Sequence, residues 1–163
     1  MKKTNAMRIL DSSKISYETR EYADDGEHVL ERGAAEALAN KLGIPVECVY
    51  KTIVMRAETK EVLVFCQSAI HEINLKKART AAGVKDIAPV KQDELLGLTG
   101  YVRGGCSPIG MKRKYRTFID SSIMNHEKVY ISAGVRGQQI IIAPKDLVTV
   151  TEATVTDLVL EEI

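Results

Sequence analysis

A loop of small residues in the second half of the chain is the first feature that could do chemistry. Its residues are Gly104, Gly105, Cys106, Ser107, Pro108, Ile109 and Gly110. Glycine lets the backbone approach a ligand closely, while proline fixes φ at about −65° and donates no hydrogen bond. Such a loop can direct several backbone N–H groups at one oxygen atom, as an oxyanion hole does. The alternative is an ordinary surface turn.

A run of positive charge follows the loop. Residues 103–116 include no Asp or Glu, and Lys112, Arg113, Lys114 and Arg116 form what we call the basic strip. Positive potential beside backbone donors suits an anionic ligand that is held at one end. The alternative is a solvated run of charge on the surface.

A lysine interrupts an apolar segment earlier in the chain. Residues 49–55 are rich in branched and aromatic side chains, which predicts a β-strand that contains Lys51. Lys51 either extends to solvent along its methylene groups or presents its ammonium group to a pocket. Thr52 should point to the opposite face of the strand unless the strand is distorted.

Cys106 invites interpretation as an acyl-transfer nucleophile. A thiolate needs an activating base or an electropositive setting, and no histidine lies near Cys106 in the sequence. We therefore interpret Cys106 as a small apolar residue in the wall of the pocket.

Composition predicts a single compact domain over residues 1–163. Hydrophobic residues make up 45% and charged residues 28%, which argues against disorder. The net charge of +1 generates no global attraction for nucleic acid, so any RNA contact must come from a local patch. Aromatic residues make up 5% and tryptophan is absent, which disfavours a stacking platform for single-stranded RNA.

The cysteines and histidines bear on compartment and cofactors. Three cysteines without a C-x-x-C pair fit a reducing cytosol better than a disulfide scaffold. The three histidines show no metal-ligand spacing. There is neither an apolar run of membrane-spanning length nor a signal-peptide pattern. We expect a cytoplasmic protein that uses no metal, cofactor or membrane.

Sequence patterns also predict the elements that position these residues. Thr4 or Asn5 should cap a first helix, and Gly43 should end a second. Asn74 should cap the start of a third helix, which Gly83 should end. Strands are predicted at 15–22, 50–56, 62–67, 85–90, 117–119, 129–132 and 139–143. A helix is predicted at 34–42, a helical turn at 92–98, and turns at 24–26 and 144–147. Strands and helices without a regular βαβ order indicate an α+β fold.

The motifs, in this order, resemble the YbaK/EbsC family of freestanding aminoacyl-tRNA deacylases, which are related to the editing domain of some bacterial prolyl-tRNA synthetases. A Lys-Thr pair at Lys51 and Thr52 and a G-x-x-x-P loop from Gly104 to Pro108 are each weak alone but specific together. The similar segments are residues 15–22, 39–44, 49–52, 74–78, 104–110, 119–120, 129–134 and 136–137.

The resemblance implies a fold and a site. The fold would be a mixed, β-barrel-like sheet surrounded by helices. Lys51 would lie in the pocket and contact the tRNA acceptor end near the terminal adenosine, and the loop would bind either the ester carbonyl or the ribose. The implied catalytic residues are Lys51, Gly104, Gly105 and Pro108. The implied substrate-binding residues are Tyr22, Thr52, Cys106, Ser107, Ile109, Gly110, Ser132 and Gly134.

This chain departs from the family pattern at two positions. Ala133 replaces the middle glycine of a Ser-Gly-Gly turn. Gln139 stands where relatives often carry an acid, which weakens any argument for a carboxylate base.

The resemblance implies hydrolysis of misacylated tRNA, with Cys-tRNA(Pro) as the substrate, whose own thiol would attack the ester. The basic strip would contact tRNA phosphates, and prolyl-tRNA synthetase would be a transient partner. Two alternatives stay open: a deacylase for another small amino acid such as alanine, and a non-catalytic module that binds the acceptor end or a nucleotide.

Overall fold

The computed structural model describes residues 2–23 and 34–160, so the turn predicted at 24–26 lies outside the described residues. The helices are α1 (Asn5–Ser12), α2 (Ala34–Leu42), α3 (Leu75–Ala82), α4 (Gln92–Thr99) and α5 (Pro144–Thr151). The strands are β1 (Glu18–Glu21), β2 (Tyr50–Ala57), β3 (Val62–Ser68), β4 (Ile87–Pro89), β5 (Arg116–Asp120), β6 (Val129–Ser132), β7 (Gln138–Ile142) and β8 (Thr154–Thr156). None of the described helices is long and apolar enough to cross a membrane.

The described strands form two sheets, and an isolated bridge joins one sheet to the other. The smaller sheet is antiparallel, in the order β1-β7-β6. The larger sheet has the order β4-β2-β3-β5-β8, in which β3–β5 and β5–β8 are parallel pairs. A parallel bridge between Val49 and Tyr130 connects the start of β2 to β6. The prediction of an α+β fold with a mixed sheet surrounded by helices is confirmed.

The main core lies between the inner faces of the two sheets and helices α1 and α5. Tyr50 and Cys66 from the larger sheet meet Ile131 and Ile140 from the smaller one, and all four are buried. On the opposite face of the larger sheet, α3 and Leu158 cover a second cluster. Full burial of one large apolar side chain contributes about 1.5–3 kcal/mol, so both clusters hold the sheets in register.

Helix ends follow the predicted capping residues. The Thr4 hydroxyl accepts a hydrogen bond from Met7 N (3.3 Å), and Asn74 Oδ1 accepts bonds from Lys76 N and Lys77 N (3.0 and 3.2 Å). Gly83 ends α3 in the left-handed conformation, at φ +70°. A side-chain acceptor satisfies N–H groups that the helix itself leaves unpaired.

The prediction of a short turn at residues 144–147 is wrong in extent. The segment forms the eight-residue helix α5, which begins at Pro144 and buries Leu147. Its second half, Val148 to Thr151, is entirely β-branched, and such residues have low helix propensity. Packing of α5 on the main core stabilises a helix that local propensity does not favour.

Candidate active site

The start of β2 places Lys51 and Thr52 on opposite faces of the larger sheet. The β2–β3 ladder is regular from Tyr50 to Arg56, and it pairs Lys51 with Gln67. Tyr50 is buried in the main core and Lys51 is exposed. Side chains alternate along a strand, so Lys51 lies on the face away from that core, while Thr52 lies on the core side. Lys51 and Thr52 therefore do not line the same surface.

The bridge between the two sheets brings Lys51 and Ser132 onto one face. Val49 pairs with Tyr130, and bridged residues direct their side chains to the same side of a sheet. Lys51 lies two residues after Val49, and Ser132 lies two residues after Tyr130. Since the side-chain period is two, both follow the bridged pair onto the face away from the main core.

The same face extends across the smaller sheet. Gln139 of β7 pairs with Ser132 on one side and with Arg20 of β1 on the other. Tyr22 follows Arg20 by two residues, and its N–H donates to Gly137 O (2.9 Å). We call this surface the site face. It carries Tyr22, Lys51, Ser132 and Gln139.

A buried amide marks the centre of the site face. Gln139 is 5% exposed, and its Oε1 has no hydrogen-bond partner. The neighbouring Ser132 hydroxyl accepts a bond from Gly134 N (3.1 Å), which ties it into the β6–β7 turn. Gly134 has φ +107°, a conformation that favours glycine.

The glycine loop packs directly against this turn. A Cβ on Gly104 would lie 2.9 Å from Arg136 Nε, and one on Gly105 would lie 3.2 Å from the backbone of Val135 and Arg136. Arg136 also donates two hydrogen bonds to Arg103 O, at 2.9 and 2.6 Å. Gly104 and Gly105 are therefore needed for close contact, and that contact holds the start of the loop against the β6–β7 turn.

Tyr101 supports the loop by contacts with Ile109 and Gly134, a role that was not predicted from the sequence. Its hydroxyl donates to Ile109 O, and a Cβ on Gly134 would lie 2.8 Å from its ring. Tyr101 is 6% exposed, and burial raises the pKa of its phenol to about 12. Asn5 Nδ2 donates to Gly110 O (2.8 Å), which ties the end of the loop to α1. An aromatic residue among glycines was the one sequence signal for this brace.

Three predicted site residues, the catalytic Pro108 and the substrate-binding Ser107 and Ile109, support the loop from inside. Ser107, Pro108 and Ile109 are buried, and Ile109, at 2% exposure, belongs to the main core. The Ser107 hydroxyl accepts a hydrogen bond from Ile109 N (3.2 Å) across Pro108. These three residues shape the loop through their side chains, and any contact they make with a ligand falls to their backbone.

The environments of the three cysteine thiols do not activate them as nucleophiles. Burial raises the pKa of Cys106 and of Cys66 to about 12, and burial also raises that of Cys48. Cys48 Sγ lies 3.7 Å from His126 Nδ1, yet its raised pKa shows that this contact does not generate a thiolate. All three thiols are protonated at neutral pH and are weak nucleophiles. Within residues 2–23 and 34–160, no group of three or more His, Cys, Asp or Glu could hold a metal ion.

The basic strip divides into paired and open charges. Arg116 donates to both carboxylate oxygens of Glu61 (2.8 Å each), and Lys114 forms an ion pair with Glu152. Lys112 and Arg113 are exposed, and neither forms an ion pair with another residue of the described chain.

Three residues of the basic strip, Arg113, Lys114 and Arg116, border a surface cavity of about 430 Å³. Arg56, Lys60 and Arg113 line it, together with the Glu61–Arg116 pair. Arg56 pairs with Glu94 (2.7 Å). Cations outnumber acids here, so the cavity wall is positive despite the near-neutral chain.

Comparisons with known proteins identify the family. Residues 31–150 match the model of the aminoacyl-tRNA editing domain. EbsC of Enterococcus faecalis, provisionally named a Cys-tRNA(Pro)/Cys-tRNA(Cys) deacylase, is 34% identical over 160 residues, which cover 98% of this chain and 95% of EbsC. A proline–tRNA ligase of Staphylococcus aureus is 26% identical over 107 residues, which cover 66% of this chain and 18% of the ligase.

Solved structures share the fold. A crystal structure described provisionally as a trans-editing enzyme for prolyl-tRNA synthetase superimposes with a TM-score of 0.83 at 21% identity. The superposition covers 99% of this chain and 100% of that one. With the family model and EbsC, this shows that the chain belongs to the aminoacyl-tRNA editing-domain family, the YbaK/EbsC group of aminoacyl-tRNA deacylases that its motifs resemble.

Proposed function

We propose that this protein is a trans-acting editing factor of the cytosol that hydrolyses Cys-tRNA(Pro). The observation that carries the proposal is the site face, on which Lys51, Ser132 and Gln139 lie, together with a glycine loop that packs closely against the β6–β7 turn. The name of EbsC, which covers nearly the whole chain at 34% identity, supports cysteinyl-tRNA as the substrate class.

The site face offers donors for each part of an aminoacyl end. Lys51 is exposed at the edge of the face, where its ammonium group can serve as a point charge for a phosphate near the terminal adenosine. Backbone N–H groups of the 104–110 loop can bind the ester carbonyl as negative charge develops on it, or the ribose. Orientation by these groups accounts for much of the rate that such a site can supply.

The substrate's thiol is our proposed nucleophile. The sulfur attacks the ester carbonyl carbon, the bond from that carbon to the ribose oxygen breaks, and the thiol proton ends on the ribose hydroxyl. Water then opens the resulting thiolactone to free cysteine. The protonated state of Cys48, Cys66 and Cys106 supports this assignment, because no described thiol of the protein is activated for attack.

Transfer RNA would be held mainly by its acceptor end and by Lys112 and Arg113. A net charge of +1 supports weak binding of the tRNA body. We therefore propose that prolyl-tRNA synthetase is a transient partner that presents the misacylated tRNA.

Single-turnover deacylation tests the proposal. The substrates are tRNA(Pro) charged with cysteine, serine, alanine or proline. Cysteine should be released fastest, and serine should lag because its hydroxyl is a poorer nucleophile of similar shape. Fastest release of alanine would support the alternative of an alanine deacylase. Binding of all four without hydrolysis would support a non-catalytic module.

A further inference from the structure

The buried amide of Gln139 is not used by the chemistry described above. Its Oε1 has no partner, although a buried acceptor without a hydrogen bond destabilises a fold. The charged donor opposite it in β1 is engaged elsewhere, since Arg20 Nη1 donates to Leu42 O (2.7 Å). The structure therefore retains an unsatisfied acceptor in the middle of the site face.

The position of this acceptor limits what it can bind. Gln139 pairs with Ser132 across β6 and β7, so the two Cβ atoms lie about 4.5–5.5 Å apart. Lys51 and the backbone N–H groups of the loop are donors, and they suit the phosphate and carbonyl oxygens of the ligand. The strongest donor of an aminoacyl ester is its α-ammonium group, which needs an acceptor close to the ester.

We propose that Gln139 Oε1 accepts a hydrogen bond from the α-amino group of the aminoacyl ligand. Gln139 is then a specificity residue that selects substrates with a free amino group. The inference rests on the proposed function, because it assigns a role within the same site. The proposed role depends on the glutamine of this chain, because its neutral amide oxygen can accept a hydrogen bond from either the charged or the uncharged amine.

The test compares two substrates, Cys-tRNA(Pro) and its N-acetyl derivative, in which the ammonium group has become an amide. Wild type should cleave the N-acetyl substrate more slowly. Gln139→Met keeps the length of the side chain and removes the acceptor. It should lower kcat/KM for the free-amine substrate about ten- to hundredfold, the effect of a hydrogen bond to a charged group, and change the N-acetyl rate less than about twofold. Gln139→Glu retains an acceptor and should keep the free-amine activity.

Gln138→Met is the matched control. Gln138 is the neighbouring residue and also has an unpartnered buried Oε1, but it lies on the opposite face of β7 and is only partly buried. Gln138→Met should leave the rates on both substrates unchanged. Thermal unfolding of Gln139→Met should occur at or above the wild-type temperature, because an unsatisfied polar group has been replaced by an apolar one.

Three outcomes would overturn the inference. One is equal loss on both substrates with Gln139→Met, which would indicate a structural role. Another is wild-type kinetics in Gln139→Met. The third is loss of activity in Gln139→Glu, which would show that the amide donates rather than accepts. Each of these requires an active wild type, whereas a wild type that releases no cysteine would reject the proposed function itself.

Discussion

At the scale of single residues, Lys51 is the sharpest test of the site. Lys51→Ala should leave stability unchanged, because the side chain is exposed and adds little to packing. It should slow deacylation of Cys-tRNA(Pro) about a hundredfold, since loss of an anchoring contact misplaces the ester. Lys51→Arg keeps the charge but adds a bulky planar group, so it should rescue poorly.

Lys145→Ala is the control for Lys51, because Lys145 is an exposed lysine on α5 that lies outside the site face. It should deacylate at the wild-type rate. A Lys51→Ala protein that is fully active would remove Lys51 from the mechanism and favour the non-catalytic alternative.

Cys106 leads to the opposite prediction. Burial raises the pKa of its thiol to about 12, so almost no thiolate exists at neutral pH. Cys106→Ala should therefore retain most of the deacylase activity, with changes within about threefold that reflect the shape of the pocket. Mass spectrometry of a quenched reaction checks the chemistry directly, because a thioester on Cys106 would contradict the assignment.

The candidate site residues could be recognised in the sequence, but their placement on one face of the sheet could not be predicted from it. The loop, Lys51 and the departure at Gln139 were all visible as motifs. That Lys51 shares a face with Ser132 depends on the bridge between Val49 and Tyr130, which joins distant parts of the chain. Alternation predicted that Thr52 points away from Lys51, and the regular β2–β3 ladder has the two on opposite faces.

At the scale of elements, the glycine loop depends on close contact with the β6–β7 turn. In Gly105→Ala, the new Cβ would lie 3.2 Å from the backbone of Val135 and Arg136, so the loop has to lift away. Deacylation should fall at least tenfold, because a small displacement of the N–H groups weakens their bonds to the ester.

Gly97→Ala is the matched substitution for Gly105→Ala. Gly97 lies within α4, and a Cβ there meets no atom within 4 Å. Alanine is the better helix former, so this variant should be stabilised by about 0.5–1 kcal/mol with unchanged activity. Equal activity of the two variants would show that the loop tolerates displacement from the turn.

Some cations of the basic strip form ion pairs within the protein, whereas Lys112 and Arg113 are exposed and form none with the described residues. The double variant Lys112→Gln/Arg113→Gln should weaken tRNA binding and reduce the slope of log affinity against log salt by about 1 to 2. Arg116→Gln, by contrast, breaks the pairing with Glu61 and should lower stability more than tRNA affinity. Filter binding across a salt series measures the first effect, and thermal unfolding measures the second. An unchanged salt slope in the double variant would identify the strip as a solvated surface.

Most elements could be predicted because their signals are local. Caps at Thr4 and Asn74 and the terminating Gly83 acted as their residue types dictate. Helix α5 could not be predicted in full, since its β-branched second half is held by packing on the main core. Strand β8 could not be predicted either, because it forms only through pairing with β5 at the edge of the larger sheet.

At the scale of the whole molecule, weak charge predicts weak discrimination among tRNAs. The net charge is +1, and in our proposal the exposed cations Lys112 and Arg113 would contact backbone phosphates, which every tRNA has. Recognition is then confined to the aminoacyl end, which Cys-tRNA(Pro) and Cys-tRNA(Cys) share. The isolated protein should deacylate both at rates within about threefold. Adding prolyl-tRNA synthetase should raise the preference for Cys-tRNA(Pro), because the synthetase selects the tRNA body. Strong preference by the protein alone would require a specific tRNA contact elsewhere on the surface and would contradict recognition through the acceptor end.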